Sequence, residues 1–249
     1  VKVMGENLTL SDFVPPVVKK VVRRVCRRPA PAPRAVYLHE ALGSFSQYQE
    51  DLIIDAIFRG RKDGVYVDVG ANDPVLLSNT KRFYDRGWCG VNVEPTPHLY
   101  RKLAQARPRD INLEMGVGPT ESEMTFYLLN VDTLSSFDRE TALRNVKEFD
   151  VTVVEERPVK VIPLVQIFER YLDGRQVDLL SVDTEGCDLT VLQSNRWDEH
   201  RPEVVIVETN QDHGLVGDFL ATVGYTLVYQ NHTNGIFLRS ESLVPCRSL

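Results

Sequence analysis

From Ser44 onward the chain alternates two rhythms of apolar residues. Apolar positions three and four apart, as in "SQYQEDLIIDAIF" with Leu52, Ile53, Ala56 and Ile57, predict amphipathic helices, and short unbroken runs such as "GVYVDVG" predict buried strands. After that first strand come helix "SNTKRFYDRG", closed by Gly87, strand "CGVNVEP", helix "PHLYRKLAQARP" and strand "INLEMGVG". The second half reads as strand "VDLLSVDTEG", helix "DLTVLQSN", strand "PEVVIVETN", helix "LVGDFLATVG" and strands "YTLVYQ" and "GIFLRS". Strands alternating with helices pair in parallel through right-handed crossovers, so the pattern predicts an α/β, doubly wound, seven-stranded sheet. The last two strands are too close for a crossover and are expected to pair antiparallel at one edge. Between the third and fourth strands, residues 119–162 interrupt the alternation with "ESEMTFYLL", helical "DRETALRNVKEF" and "VTVVEERPVKVIPL". This inserted cap is expected to shape a substrate site, as a lid or as a homodimer contact, with Glu155 and Glu156 facing solvent on an edge strand.

Residues 11–28 place Val17, Val18, Val21, Val22 and Val25 on one helical stripe with Lys and Arg between them. Such a basic amphipathic helix suits an anionic membrane surface, a partner protein or the face of its own domain. "RRPAPAPRA" follows as an extended linker, so the expected organisation is a helix and linker over 1–43, a main domain over 44–240 and a tail over 241–249.

The 249 residues suffice for one large domain, and a net charge of −6 argues against a nucleic-acid partner, which would require a surplus of clustered Lys and Arg. Four cysteines at 26, 89, 187 and 246 show no metal-ligand spacing and read as free thiols in a reducing compartment. No run of eighteen apolar residues and no signal-peptide pattern is present, so the expected location is cytoplasmic, with helix 11–28 able to touch the inner face of the membrane.

The first strand ends in "DVGANDP", with one glycine where a pyrophosphate-binding loop would carry several. Asp68 and Asp73 would repel an anion and attract a cation, which favours S-adenosylmethionine, whose sulfonium and ammonium are both positive. Glu94, at the end of the second strand, stands where an acid accepts hydrogen bonds from ribose hydroxyls in nucleoside-binding α/β folds.

"YVDVGANDP", "LSNTKRFYDRGWCGVNVEPTPHLYRKL", "DINLEMGVG", "DLLSVDTEG" and "RPEVVIVE" together resemble the FkbM family of S-adenosylmethionine-dependent methyltransferases, from about Gln47 to about Arg239. That resemblance implies a class I methyltransferase (Rossmann-like) fold with its last strand antiparallel, and O-methylation of a hydroxyl on a sugar, glycan or glycosylated natural product. It assigns Asp68, Gly70 and Asn72 to the methionine end of the cofactor, with Ser78, Asn79 and Thr80 nearby. Glu94 takes the ribose, and Gly116 and Val117 lie by the adenine. "QYQED" resembles a further family element, through which Gln47, Glu50 or Asp51 closes over the cofactor; its other reading is an amphipathic helix covering the sheet.

Methyl transfer to an alcohol needs alignment and either a base or a metal to lower the hydroxyl pKa. Asp183 and Glu185 follow one strand, and Glu208 and Asn210 follow the next. Asp183, Glu208 and Asn210 form an all-oxygen set suited to Mg²⁺. The set is similar to the Asp/Asp/Asn arrangement of catechol-type O-methyltransferases, with Glu for the second Asp and the Asn one residue later. The metal-free alternative uses Asp183, His213 or His232 as base, His213 being favoured because it follows the strand carrying Glu208. A reading of another class is a non-catalytic nucleoside-binding scaffold of the same fold, tethered by its N-terminal helix to a membrane glycan-assembly complex.

Overall fold

The computed structural model describes residues 43–209 and 214–243; the helix read over 11–28, its linker, Asn210, His213 and the end of the tail lie outside the described residues. Among the described residues there are ten strands and seven α-helices, in an order that departs from the two rhythms at two places. They are α1 (Glu50–Ile57), β1 (Val65–Val69), α2 (Lys81–Arg86), β2 (Cys89–Val93), α3 (Pro97–Ala106), β3 (Ile111–Leu113), β4 (Gly116–Val117) and β5 (Ser122–Leu129). After these come α4 (Arg139–Phe149), β6 (Val153–Ile162), α5 (Leu164–Tyr171), β7 (Leu179–Val182), α6 (Asp188–Gln193), β8 (Val204–Glu208), α7 (Leu215–Thr222), β9 (Tyr225–Gln230) and β10 (Asn234–Arg239).

The main sheet has seven strands in the order β3-β2-β1-β7-β8-β10-β9, with β10 antiparallel to both neighbours. The last strand therefore inserts between β8 and β9, and β9 takes the edge. Strands β1, β7 and β8 are buried almost throughout, as parallel strands covered on both faces must be. Alternate residues feed two cores. Val67, Leu180 and Val205 face Ile167, Phe168, Val191 and Leu220, contributed by α5, α6 and α7. Tyr66, Leu179 and Val204 face Ile54, Phe58, Phe83 and Trp88 on the other side. Both tryptophans pack as ordinary core, with Trp88 wholly enclosed. No described helix is long and apolar enough to cross a membrane.

Two elements differ from the pattern reading. "INLEMGVG" is split: Ile111–Leu113 joins the main sheet, while Gly116–Val117 turns away to pair in parallel with β6 in a three-stranded cap sheet, β4-β6-β5. The cap sheet thus begins at Gly116, ahead of Gly118. Helix α5 was not foreseen. Pro163 ends the strand and stands at the helix N-cap, and Leu164, Ile167 and Phe168 bury against the sheet.

Candidate functional site

In an open parallel sheet the crevice forms at the carboxyl ends of the strands, where chain order reverses. Here β1 lies between β2 and β7, and a cavity of about 580 Å³ opens above their ends and that of β8. Asp68, Gly70, Asn72, Ser78, Asn79, Glu94, Gly116, Val117, Asp183 and Glu208 all line it.

The single glycine of "DVGAN" answers to a packing constraint. Gly70 has φ +78, and a β-carbon there would lie 1.8 Å from the carbonyl oxygen of Asp183. Its amide and that of Ala71 donate to the Val93 carbonyl, so the loop is pressed between β2 and β7. Alanine would meet both left-handed strain and main-chain overlap. Gly70→Ala should cost about 3 kcal/mol or more of stability and weaken S-adenosylhomocysteine binding at least about tenfold. Thermal melting and calorimetry check this, and an unchanged midpoint with unchanged affinity would remove the constraint.

Beyond Gly70 the loop is held ready. The Asn72 amide donates to Glu94 Oε2 at 2.8 Å and the Thr96 amide to Oε1 at 2.7 Å. The Thr96 side chain bonds the same carboxylate, which still has lone-pair capacity for a ligand hydroxyl. Burial pushes the Glu94 pKa up, against the pull of these bonds. Asn72 itself sits at φ +50, a strained position of the kind found at binding loops.

Asp68 is bonded from beneath. Thr80 Oγ1 donates to it at 2.6 Å, and the wholly buried Arg107 donates to Thr80 Oγ1 at 2.7 Å. Arg107 also reaches Asn92 Oδ1, the Pro74 carbonyl and Ser78 Oγ, tying α3 to the β1–α2 loop. Burial raises the Asp68 pKa, and the Arg107 charge and the Thr80 hydroxyl offset part of the rise. Thr80 is therefore corrected from cofactor neighbour to floor: it is fully buried and does not line the cavity. Asp51 is likewise spent internally, accepting from the hydroxyls of Ser44 and Ser46 and the amide of Phe45. Glu50 accepts from the Asn231 and Asn234 amides and the Tyr48 backbone, so of the three only Gln47 lines the cavity.

Farther along the rim, Asp183, Glu185 and Glu208 each place one carboxylate oxygen within 4.8 Å of the other two. Asp188 holds the loop that carries the first two, accepting from Thr184 N at 2.9 Å, Thr184 Oγ1 at 3.0 Å and Gly186 N at 3.2 Å. Burial first, then the charges of Asp188, Asp68, Glu50 and Glu94, raises the Asp183 pKa toward neutrality. The residues fit a positively charged ligand that carries a ribose: acids surround the hollow, and the one glycine brings β1 against β7.

A family model described as the methyltransferase FkbM domain matches residues 68–229, well over half of the chain. The chain belongs to the FkbM methyltransferase family. It is accordingly an S-adenosylmethionine-dependent methyltransferase, with the class I fold that its strand order shows. Among solved structures, the chain has a likeness to a TehB-like SAM-dependent methyltransferase from Corynebacterium glutamicum, at 14% identity and a TM-score of 0.37 over 83% of this chain and 95% of that one. A fibrillarin/Nop5p complex gives 13% identity and a TM-score of 0.35 over 75% and 78%. Scores of that size bear on no detail of the site. No curated protein sequence matches the chain.

This FkbM chain roofs its cavity with the cap. Ser136 Oγ donates to the Glu185 carbonyl at 2.7 Å, and Gly186, at φ +98, leaves room for Thr141 of α4. Phe137 rests against Gly116, where a β-carbon would meet its ring at 2.4 Å, and packs on Phe126 with centroids 4.8 Å apart. Arg144, Asn145, Glu148 and Phe149 of α4 line the far wall, and His232 lines the side formed by the β9–β10 turn. The sequence reading passed over Arg107, Phe137 and the α4 residues. Only the Phe137 stretch, "TLSSFD", carried a signal, as small polar residues beside an aromatic ring.

Proposed function

We propose that the protein is an O-methyltransferase for a hydroxyl of a sugar, glycan or glycosylated natural product. The observation that carries this reading is the meeting of Asp183, Glu185 and Glu208 in the same cavity as Glu94 and the Gly70 loop. S-adenosylmethionine, when bound, supplies a methyl group on a sulfonium that an incoming oxygen can displace. Glu94 would hold the ribose, the Gly70–Asn72 backbone would line the methionine end, and Gly116, Val117 and Phe137 would flank the adenine. Asp183 accepts the proton that the acceptor hydroxyl must lose, being held near that position by the Asp188-braced loop. Glu185 and Glu208 complete a set of hard oxygen donors that suits Mg²⁺, which keeps waters for a hydroxyl to replace.

Calorimetry with S-adenosylhomocysteine and transfer of labelled methyl to simple glycosides test the reading together. Binding without transfer to any sugar would overturn the acceptor assignment. Chelation with EDTA should lower the rate at least about tenfold if the three carboxylates work through a cation; an unchanged rate leaves Asp183 acting alone as base.

A further inference from the structure

The end of the cavity away from Gly70 and Glu94 is walled by the β9–β10 turn, and one buried carboxylate holds that turn. Glu50, wholly enclosed at the start of α1, accepts from Asn231 Nδ2 and Asn234 Nδ2 at 2.8 Å on one oxygen and from the Tyr48 amide at 2.7 Å on the other. Asn231 Oδ1 accepts from the Thr233 and Asn234 amides at 2.8 Å, and the Thr209 amide donates to the Thr233 carbonyl at 2.7 Å. A carboxylate offers only acceptors, so it fixes the sense of the Asn234 side chain: the nitrogen turns to Glu50, and Oδ1 is the polar atom left over. No described residue donates to that oxygen, and Asn234 lines the cavity while only 4% exposed.

Strand register carries this oxygen to the reacting end. Asn234 pairs with Glu208 across β10 and β8, and Val207 pairs with Val182, so Asp183 follows at the level of Glu208. Asn234 and Glu208 share with Ile236 and Ile206 the sheet face that packs on Ile54 of α1. Neighbouring strands lie about 5 Å apart, so the row Asp183, Glu208, Asn234 spans on the order of 10 Å. A sugar ring lying over Glu208 bridges it. Strands β1 and β2, which carry Gly70 and Glu94, lie on the far side of β7, so Asn234 faces the acceptor and not the cofactor.

We propose that Asn234 is a specificity-determining residue that accepts, through Oδ1, a hydrogen bond from a second hydroxyl of the acceptor, and that Glu50 is the positioning residue that keeps this oxygen turned to the cavity. This rests on the sugar-hydroxyl reading above. A buried oxygen left without its donor is costly, so the site selects against a sugar that lacks that one hydroxyl. The probes are methyl glucoside and its monodeoxy analogues. The analogue without the reacting hydroxyl gives no product with any variant. Among the others, one should show kcat/KM at least about tenfold below that of the parent sugar. Asn234→Ala should bring the two sugars to within about twofold of each other, because the oxygen that told them apart is gone. Glu50→Gln gives the Asn234 amide a partner that both donates and accepts, so the amide can turn over and the same penalty should shrink by a smaller factor. The penalty compares two sugars on one protein, so a loss of stability by itself does not move it. S-adenosylhomocysteine affinity should be unchanged in both variants. Equal rates of the parent protein on all the reactive sugars, or a penalty unchanged in both variants, would overturn the inference while leaving the sugar reading intact. Failure to methylate methyl glucoside by a protein that binds S-adenosylhomocysteine would remove both.

Discussion

Replacing Asp183 with asparagine should lower methyl transfer about 10²- to 10⁴-fold, the usual contribution of a positioned proton acceptor. The side chain keeps its size and loses the charge. S-adenosylhomocysteine affinity should fall no more than about tenfold, since Glu94 and the Gly70 loop keep their own bonds. The pH profile gives a second readout. Asp183 must be deprotonated to act, and burial with its acidic neighbours raises its pKa toward neutrality. With metal chelated, kcat/KM should climb with pH through a range well above that of an ordinary carboxylate, and the variant should lack that limb. Added Mg²⁺ should move the limb to lower pH, because a cation favours the ionised form. Stability runs the opposite way. A carboxyl whose pKa is raised by folding stabilises the folded state below its unfolded pKa, and this contribution is lost as pH rises through the folded pKa. The Asp183→Asn protein should therefore melt higher than the parent at pH 8 and not at pH 4. Identical rates and profiles in the two proteins would end the assignment.

Arg107→Met should cost about 3–5 kcal/mol of stability, on the order of 10 °C in melting temperature. The guanidinium is wholly buried and has four partners on the loop and strands beneath the cavity. Its removal leaves Asp68 buried without the nearby positive charge that now offsets part of the burial-driven rise in its pKa. The Asp68 pKa then rises further, so the defect should be largest at neutral and alkaline pH and shrink as acid protonates the carboxyl. Adding Asp68→Asn should restore part of the loss, because the two sites share Thr80 and do not act independently. Calorimetric unfolding of the two single variants and the double variant checks this. A loss under about 1 kcal/mol for Arg107→Met would show that the buried charge is dispensable.

Charge patterns and periodicity reached a long way into this protein. The strand-end acids Asp68, Glu94, Asp183 and Glu208 were legible because strands end where apolar runs stop, and the crevice of an open parallel sheet lies at those ends whatever the side chains are. The order of helices and strands was legible for the same reason. Helix α5 should also have been readable, since Leu164, Ile167, Phe168 and Tyr171 fall on one stripe. The strand reading stops at Leu164 and assigns residues 165–171 to no element. Arg107 was not readable: an arginine at the end of a surface-type helix, before a proline, looks like a solvated charge until α3 packs over the β1–α2 loop.

What the linear chain determined alone is the layered sheet and the row of acids along its rim, because both follow from local periodicity of 2 and 3.6 residues. Tertiary structure decided the rest. The distance that brings Glu185 beside Glu208, the overlap that makes Gly70 obligatory against Asp183, and the swing of Gly116–Val117 into the cap sheet all join residues far apart in sequence. Such meetings depend on how twisted strands and packed helices share space, a property of the folded whole that no window of neighbouring residues contains.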